Sequence, residues 1–138
     1  MNIEFFYEET DFTLNQKESI QPWINKIITE GGYEIESLNY IFCSDEYLHK
    51  INLEYLNHDT FTDIITFDNS ELENVIESDI YISVDRVKEN SLLLKTHFED
   101  EIARVLIHGV LHLMGWQDKT EEQKERMRKK EDACLSLR

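Results

Sequence analysis

Residues 96–118 read THFEDEIARVLIHGVLHLMGWQD and contain the strongest helix pattern of the chain. Thr96 with Glu99 resembles a capping box, and the acidic residues that follow suit the positive end of a helix dipole. From Ile102 to Met114, apolar residues recur on nearly every side of the predicted helix. A helix with this pattern is buried by its neighbours. We therefore expect it to be the central helix of the fold.

Two histidines lie on this helix, and their spacing makes them candidate metal ligands. His108 and His112 are four residues apart, so their side chains lie on the same face, one turn from each other. A buried polar group without a partner costs about 1–3 kcal/mol, so these imidazoles need either hydrogen-bond partners in the core or a shared metal ion. Gly115 can adopt the left-handed conformation that ends a helix and turns the chain back. This turn would bring Asp118 to the two histidines.

The resulting pattern, H-x-x-x-H-x-x-G-x-x-D, has the ligand spacing of metzincin-type zinc sites, with an aspartate in place of the third histidine. Three protein ligands leave a fourth tetrahedral position open, which is typical of catalytic zinc sites. We therefore predict that His108, His112 and Asp118 bind one Zn²⁺ per chain. A zinc peptidase needs a glutamate general base directly after its first histidine, and this chain has Gly109 there. This disfavours peptidase chemistry, and we expect Gly109 to let another backbone or a substrate approach the metal closely.

Strand and helix patterns alternate along the rest of the chain. β-Branched and aromatic residues predict strands at residues 2–7, 37–43, 64–67 and 79–84. Thr13 with Gln16 and Thr120 with Gln123 resemble capping boxes, Ser44 is expected to cap a short helix, and a further helix is expected to begin near residue 85. We predict an α+β fold, a small mixed β-sheet with packed helices. Because the chain contains no linker-like or repeated segment, we expect a single domain over residues 1–138.

Charge is the most unusual bulk property of the 138-residue chain. It has 14 basic and 29 acidic residues and a formal net charge of −15, which would repel a polyanion from most directions. This argues against nucleic acid binding over most of the surface. Residues 119–138, however, hold 7 basic and 5 acidic residues, which is half of all the positive charge. The last helix is therefore the one stretch with a net positive charge.

The cysteines and the apolar pattern indicate the compartment. Cys43 and Cys134 are too few for a disulfide scaffold and lack the paired spacing of a structural zinc site. We interpret both as buried, small apolar residues. The sequence contains no run of about 18 apolar residues, and its first residues have no basic patch before an apolar stretch. These features predict a cytoplasmic protein with no membrane partner.

Residues 108–118, HGVLHLMGWQD, resemble the H-G-x-L-H-L-x-G-Y-D-H signature of the YbeY family, which are metal-dependent endoribonucleases of ribosomal RNA maturation. The family segment N-x-x-Y-R-x-x-D-x-P-T-D-V-L-S-F is matched by Asn52, Tyr55, Asp59, Thr62, Asp63 and Phe67. The G-D-I-x-I-S strand is similar to residues 78–83. The resemblance extends over essentially the whole chain. It implies a zincin-like fold, a zinc ion and a single-stranded ribosomal RNA substrate, with the ribosome or ribosomal proteins as partners.

The chain departs from the family pattern near the predicted site. The third ligand, usually histidine, is Asp118, which is a competent oxygen ligand but adds negative charge and should reduce the Lewis acidity of the ion. The family arginine falls on Leu56, so a cation that could hold a phosphate is missing there. The family proline two residues after Asp59 is Phe61. His58 could take over a phosphate contact, or it is simply an exposed loop histidine.

The main functional hypothesis is a zinc-dependent, single-strand-specific endoribonuclease that acts in ribosomal RNA processing through His108, His112 and Asp118. The attacking group is either water or a ribose hydroxyl, and the general base stays open. Two alternatives remain. The first is a non-catalytic, ribosome-associated maturation factor with a structural metal, which the charge and Leu56 motivate. The second is a metallohydrolase of another class, including a peptidase with an unusual base.

The last helix carries the predicted RNA contacts. Arg126, Lys129 and Lys130 lie within one arc of about 100°, whereas most acidic residues of this helix lie in a different arc. This separation of charge would make a usable basic patch. The alternative is a solvated helix held by pairs such as Glu122 with Arg126, each of which contributes about 0.2–0.5 kcal/mol.

Overall fold

The computed structural model describes residues 2–138. In this part of the chain, the elements in order are β1 (Ile3–Glu8), α1 (Lys17–Glu30), β2 (Glu34–Cys43), α2 (Asp45–Leu56), β3 (Ile64–Asp68), β4 (Val75–Ser83), α3 (Val84–Leu94), α4 (Phe98–Leu113) and α5 (Glu121–Leu135). Each predicted strand and helix is present. β2 and β4 begin three or four residues earlier than their sequence patterns predict, because their first residues pair with each other beyond the apolar stretch.

The four strands form one mixed sheet in the order β1-β2-β4-β3. β1, β2 and β4 are parallel, with Phe5 beside Tyr40 and Tyr40 beside Ile80. β3 is antiparallel to β4 and forms an edge of the sheet, with Thr66 beside Ile80. This arrangement confirms the predicted α+β class with a mixed sheet and packed helices.

The predicted central helix, α4, lies in the centre of the core. Its residues Leu106, Ile107 and Val110 are fully buried. The hydroxyl of Tyr40, itself completely buried in β2, donates a 2.9 Å hydrogen bond to the backbone oxygen of Leu106. The sheet and its central helix are therefore joined by a polar contact inside an apolar core.

Gly109 lets α4 approach the sheet closely. A Cβ atom at this position would lie 3.0 Å from Cδ1 of Ile80 and 3.1 Å from Cδ1 of Ile64. Both isoleucines belong to sheet strands. Gly109 therefore faces the sheet. Of the two expected alternatives, approach of another backbone or of a substrate to the metal, the substrate alternative is wrong, because the close approach at this glycine is that of the sheet strands to α4.

Two of the four predicted helix caps are present. Ser44 accepts a hydrogen bond from the backbone of Tyr47, and Thr120 with Gln123 forms a complete capping box. The other two predicted capping boxes are wrong. α1 is preceded by Gln16 in a left-handed conformation with φ 62°, and α4 is preceded by His97, and neither of these cap residues makes a side-chain cap bond.

α5 packs against α4 and closes one side of the core. It buries Met127, Glu131 and Cys134, and the indole N–H of Trp23 in α1 donates a 2.9 Å hydrogen bond to the backbone oxygen of Cys134. Cys43 is buried as well, and both cysteines are free thiols, which confirms their predicted role as buried small residues. Among residues 2–138, no helix combines the length and apolar character that crossing a bilayer requires.

Candidate metal centre

The three predicted ligands converge on one point. His108 and His112 lie in the last turns of α4, with 3.0 Å between their Nε2 atoms. Oδ2 of Asp118 lies 3.3 Å from each of these nitrogens. The structure thus brings together the two histidines and the aspartate that the sequence pattern pairs, although Asp118 lies in the loop after the helix.

A tight turn after α4 positions Asp118. Gly115 has φ 97°, the left-handed conformation that side-chain-bearing residues rarely adopt. Its N–H donates to the backbone oxygen of His112 at 3.0 Å, and the N–H of Trp116 donates to that of Leu111 at 3.0 Å. This is the Schellman arrangement, which ends a helix and reverses the chain. The predicted role of Gly115 is confirmed.

The donor set fits a zinc ion. Two imidazole nitrogens and a carboxylate oxygen are typical zinc ligands, each about 2.0–2.2 Å from the metal. Ligand atoms around a tetrahedral ion then lie about 3.4 Å from one another. The measured separations of 3.0 Å and 3.3 Å are close to this value. The three side chains need no rearrangement of the backbone to hold such an ion.

A buried carboxylate orients the first histidine. Nδ1 of His108 lies 2.6 Å from Oε2 of Glu131, whose side chain is only 7% exposed. The other oxygen of Glu131 accepts a 2.9 Å hydrogen bond from Nη1 of Arg104, and Nη2 of Arg104 donates to Asp132. A carboxylate that accepts from Nδ1–H leaves the Nε2 lone pair for the metal and raises its basicity. Glu131 therefore supports the centre without touching it.

Sequence reasoning missed Glu131. Its signal was present, because it lies three residues before Cys134 and four after Met127, which mark the buried face of α5. A glutamate on the apolar face of a charged helix needs a buried partner. Its partners, His108 and Arg104, lie on another helix more than twenty residues earlier, so spacing alone does not reveal them.

The surroundings of His108 favour its charged form in the protein without metal. Burial acts to lower the pKa of His108, but the hydrogen bond to Glu131 and the negative charges of Glu131, Asp118 and Asp63 outweigh burial, so the pKa is raised. A proton and a metal ion compete for the same Nε2 atom. The centre is therefore a site with strong attraction for positive charge.

A cleft of about 330 Å³ opens beside the centre. It is bounded by the start of β3, the end of α3, the part of α4 from residue 101 to residue 108, the loop after α4 and one side of α5. Its lining residues are Asp63, Ile64, Asn90, Leu94, Glu101, Arg104, Val105, His108, Asp118, Lys124, Met127, Arg128 and Glu131. The cleft thus combines two of the three candidate ligands with basic side chains, and it is large enough for a nucleotide-sized group.

The four residues predicted for RNA contact do not line this cleft. Arg126 pairs with Glu122, and Lys129 lies 3.8 Å from the carboxylate of Glu125. Nζ of Lys130 lies 5.6 Å from the ring centroid of Trp116. His58 is exposed in the loop after α2. Their role in RNA binding stays a prediction.

The two other departures from the family pattern lie around the loop between α2 and β3. Leu56, at the end of α2, is 41% exposed. Phe61 stacks on the ring of His49 with 4.2 Å between ring centroids, and the guanidinium of Arg86 lies 5.5 Å from its ring centroid. Phe61 thus anchors the loop through aromatic and cation–π contacts.

Comparison with known proteins decides the family. The family model described as Endoribonuclease YbeY matches residues 3–137. The chain belongs to the endoribonuclease YbeY family. Its membership confirms the resemblance of residues 108–118 and places the chain among nucleases of the hydrolase class.

Individual YbeY proteins are similar over nearly their full length. An endoribonuclease YbeY from Cytophaga hutchinsonii is 56% identical over 99% of this chain and 95% of its own. The endoribonuclease YbeY from Christiangramia forsetii is 52% identical over 96% of this chain and 92% of its own. A solution structure of a Thermotoga maritima protein has a TM-score of 0.68 and 25% identity, over 96% of this chain and 90% of that one. The chain therefore has a solved structure of similar fold and named endoribonucleases of similar sequence among its relatives.

Proposed function

We propose that this chain is a zinc-dependent endoribonuclease that cleaves single-stranded RNA during ribosomal RNA maturation. The observation that carries the proposal is the convergence of His108 Nε2, His112 Nε2 and Asp118 Oδ2 within 3.3 Å of one another beside an open cleft. The relatives named endoribonuclease YbeY support RNA as the substrate class.

Three residues of the centre would bind the ion, and a fourth orients one of these ligands. When bound, a zinc ion supplies Lewis acidity, which polarises a phosphate oxygen and lowers the pKa of a water or a ribose hydroxyl. His108, His112 and Asp118 would hold the ion, and Glu131 keeps the ring of His108 in the ligand orientation. Asp118 contributes a negative charge that a third histidine would not, so the ion in this chain should be a weaker Lewis acid.

The proposal also covers the substrate, the cellular location and the partners. The substrate would be single-stranded ribosomal RNA, reached in the cytoplasm on the ribosome or with ribosomal proteins, and one domain over residues 1–138 would carry the activity. A peptidase is disfavoured, because the position after His108 is Gly109, which packs on the sheet and supplies no general base.

One observation favours a second candidate function. Leu56 stands where the family has an arginine, and it is an exposed apolar side chain without charge. A chain that had lost a phosphate-holding cation could retain the metal as a structural element and act as a non-catalytic maturation factor. The two functions differ in whether RNA is cut.

RNA cleavage by purified protein tests the proposal. A 5′-labelled single-stranded RNA is incubated with zinc-loaded wild type, with the double variant His108→Ala, His112→Ala, and with the control His97→Ala. His97 is an exposed histidine that makes no side-chain cap bond and does not line the cleft. We expect cleavage by wild type and His97→Ala and none by the double variant. Intact RNA with wild type would favour the non-catalytic factor, and cleavage by the double variant would exclude this centre.

A further inference from the structure

One face of α5 places two cations in the cleft beside the candidate metal centre. Lys124, Met127, Arg128 and Glu131 are spaced i, i+3, i+4 and i+7, so they lie within an arc of about 100°. Met127 and Glu131 are buried at the floor of the cleft, whereas Lys124 and Arg128 are exposed at its rim. His108 and Asp118 line the same cleft. The basic rim and these two candidate ligands therefore belong to one cleft.

Arg128 differs from the other arginines because it has no side-chain partner among the residues that the structure describes. Within residues 2–138, every other arginine lies within 4.0 Å of a carboxylate oxygen: Arg86 pairs with Asp45, Arg104 with Glu131 and Asp132, Arg126 with Glu122, and Arg138 with Asp100. No ion pair or side-chain hydrogen bond in the described part of the chain engages Arg128. A guanidinium that no carboxylate neutralises is available to an anion from outside.

Lys124 is nearly as available. Its ammonium lies 3.8 Å from the carboxylate of Glu121, and the two side chains are 58% and 96% exposed. An ion pair between side chains this exposed contributes little, because water screens it. Lys124 can therefore leave Glu121 for a stronger anionic partner in the cleft.

We infer that Arg128, with Lys124 beside it, binds a backbone phosphate of single-stranded RNA next to the metal centre. The inference rests on the proposed function and names the part of the chain that holds the substrate. A guanidinium fork donates two parallel hydrogen bonds to phosphate oxygens, which fixes the position of the phosphate as well as its charge.

The charge balance of the cleft links this contact to the metal. Four carboxylates line the cleft, those of Asp63, Glu101, Asp118 and Glu131. Three cations oppose them, those of Arg104, Lys124 and Arg128. A divalent ion adds two positive charges to this set and makes its sum positive. Phosphate is therefore expected to bind the zinc-loaded protein more tightly than the metal-free protein.

Binding to an uncleaved probe tests the inference. The probe is a fluorescein-labelled, 12-nucleotide single-stranded 2′-O-methyl RNA, whose integrity is checked on a gel, and its binding to zinc-loaded protein is measured by anisotropy at several salt concentrations. Arg128→Gln should weaken binding about 10-fold, since one charge-assisted contact is lost. It should also flatten the slope of log K against log salt by about 0.7. Arg128→Lys should keep the slope and recover part of the affinity.

The control is Arg138→Gln, which removes one arginine charge from a residue that pairs with Asp100 and lies outside the cleft. It should bind as wild type does. The inference would be overturned if Arg128→Gln retains one zinc ion and binds the probe with the affinity and the salt slope of wild type. A larger loss for Arg126→Gln than for Arg128→Gln would also overturn it, because the RNA would then follow the opposite face of α5. If wild type neither binds this probe nor binds or cuts unmodified RNA, the proposed function itself fails.

Discussion

Nδ1 of His108 lies 2.6 Å from Oε2 of Glu131, a residue 23 positions further along the chain and on a different helix. This contact joins the metal centre on α4 to the helix that closes the cleft. It sets the orientation of one candidate ligand, and through Arg104 it continues to Asp132. The geometry of the centre therefore depends on how α5 packs, and this dependence can be measured.

Glu131→Gln should weaken zinc binding by about 10- to 100-fold, because an amide is a weaker acceptor for His108 Nδ1–H and carries no charge. Competition against a chelating dye of known affinity measures the change. Glu125→Gln is the matched control, since Glu125 is exposed on the same helix and pairs with Lys129. Equal zinc affinities for the two variants would show that Glu131 does not support the centre.

The purified protein should contain one zinc ion per chain. Two imidazoles and one carboxylate form the site, so single alanine substitutions at His108, His112 or Asp118 should each weaken zinc binding strongly. Elemental analysis after gel filtration gives the stoichiometry. Zinc retained at full stoichiometry in the double variant His108→Ala, His112→Ala would contradict the assignment of the site.

Stability of the metal-free protein should fall as the solution becomes more alkaline. Burial lowers the pKa of His108, but Glu131 and the neighbouring carboxylates outweigh it, and the folded-state pKa is raised above the ordinary 6.5. Folding is then favoured by proton uptake, so this contribution is fully present below about pH 6.5 and is lost as the pH rises through the higher folded-state value. Urea unfolding in the presence of a chelator, from about pH 6 to pH 9, measures it. Glu131→Gln should flatten the dependence, and identical curves for the variant and wild type would contradict the account.

The two cysteines should resist thiol reagents while the protein is folded. Burial raises the pKa of Cys43 to about 12, helped by nearby carboxylates. Burial also raises the pKa of Cys134. Because the thiolate is the reactive form, neither cysteine should react with Ellman's reagent at about pH 8 until denaturant is added. Rapid reaction of both thiols in native buffer would show that β2, which carries Cys43, and α5, which carries Cys134, open more readily than their packing indicates.

Local spacing was enough to predict the candidate ligands and their turn. His108 and His112 share a helix face by periodicity, and Gly115 carries the one backbone conformation that returns Asp118 to them. The pattern spans eleven residues, so it is independent of how distant elements pack. The same holds for the strands and helices, whose apolar periods are local.

Contacts between elements could not be predicted in the same way. Sequence separates the charges on α5 into arcs, but it does not say which arc faces α4. The sequence therefore predicts RNA contact at Arg126, Lys129 and Lys130 and does not single out Arg128, which lines the cleft. Met127 and Cys134 mark the buried face of α5. Arg128 is the next residue after Met127 and lies at the edge of this buried face. The capping boxes predicted at Thr13 and Thr96 are wrong because α1 begins at Lys17 and α4 at Phe98, so the N-cap residues are Gln16 and His97. The zincin-like label, the identity of the metal and the single-strand preference stay predictions.

Cleavage of single-stranded RNA under metal depletion and restoration tests the central claim most directly. End-labelled RNA is incubated with purified wild type, with the same protein after removal of metal by a chelator, and with that protein after addition of one equivalent of zinc. The account predicts cleavage, then its loss, then its recovery with the same product ends. Undiminished cleavage by protein that elemental analysis shows to be free of metal would contradict it.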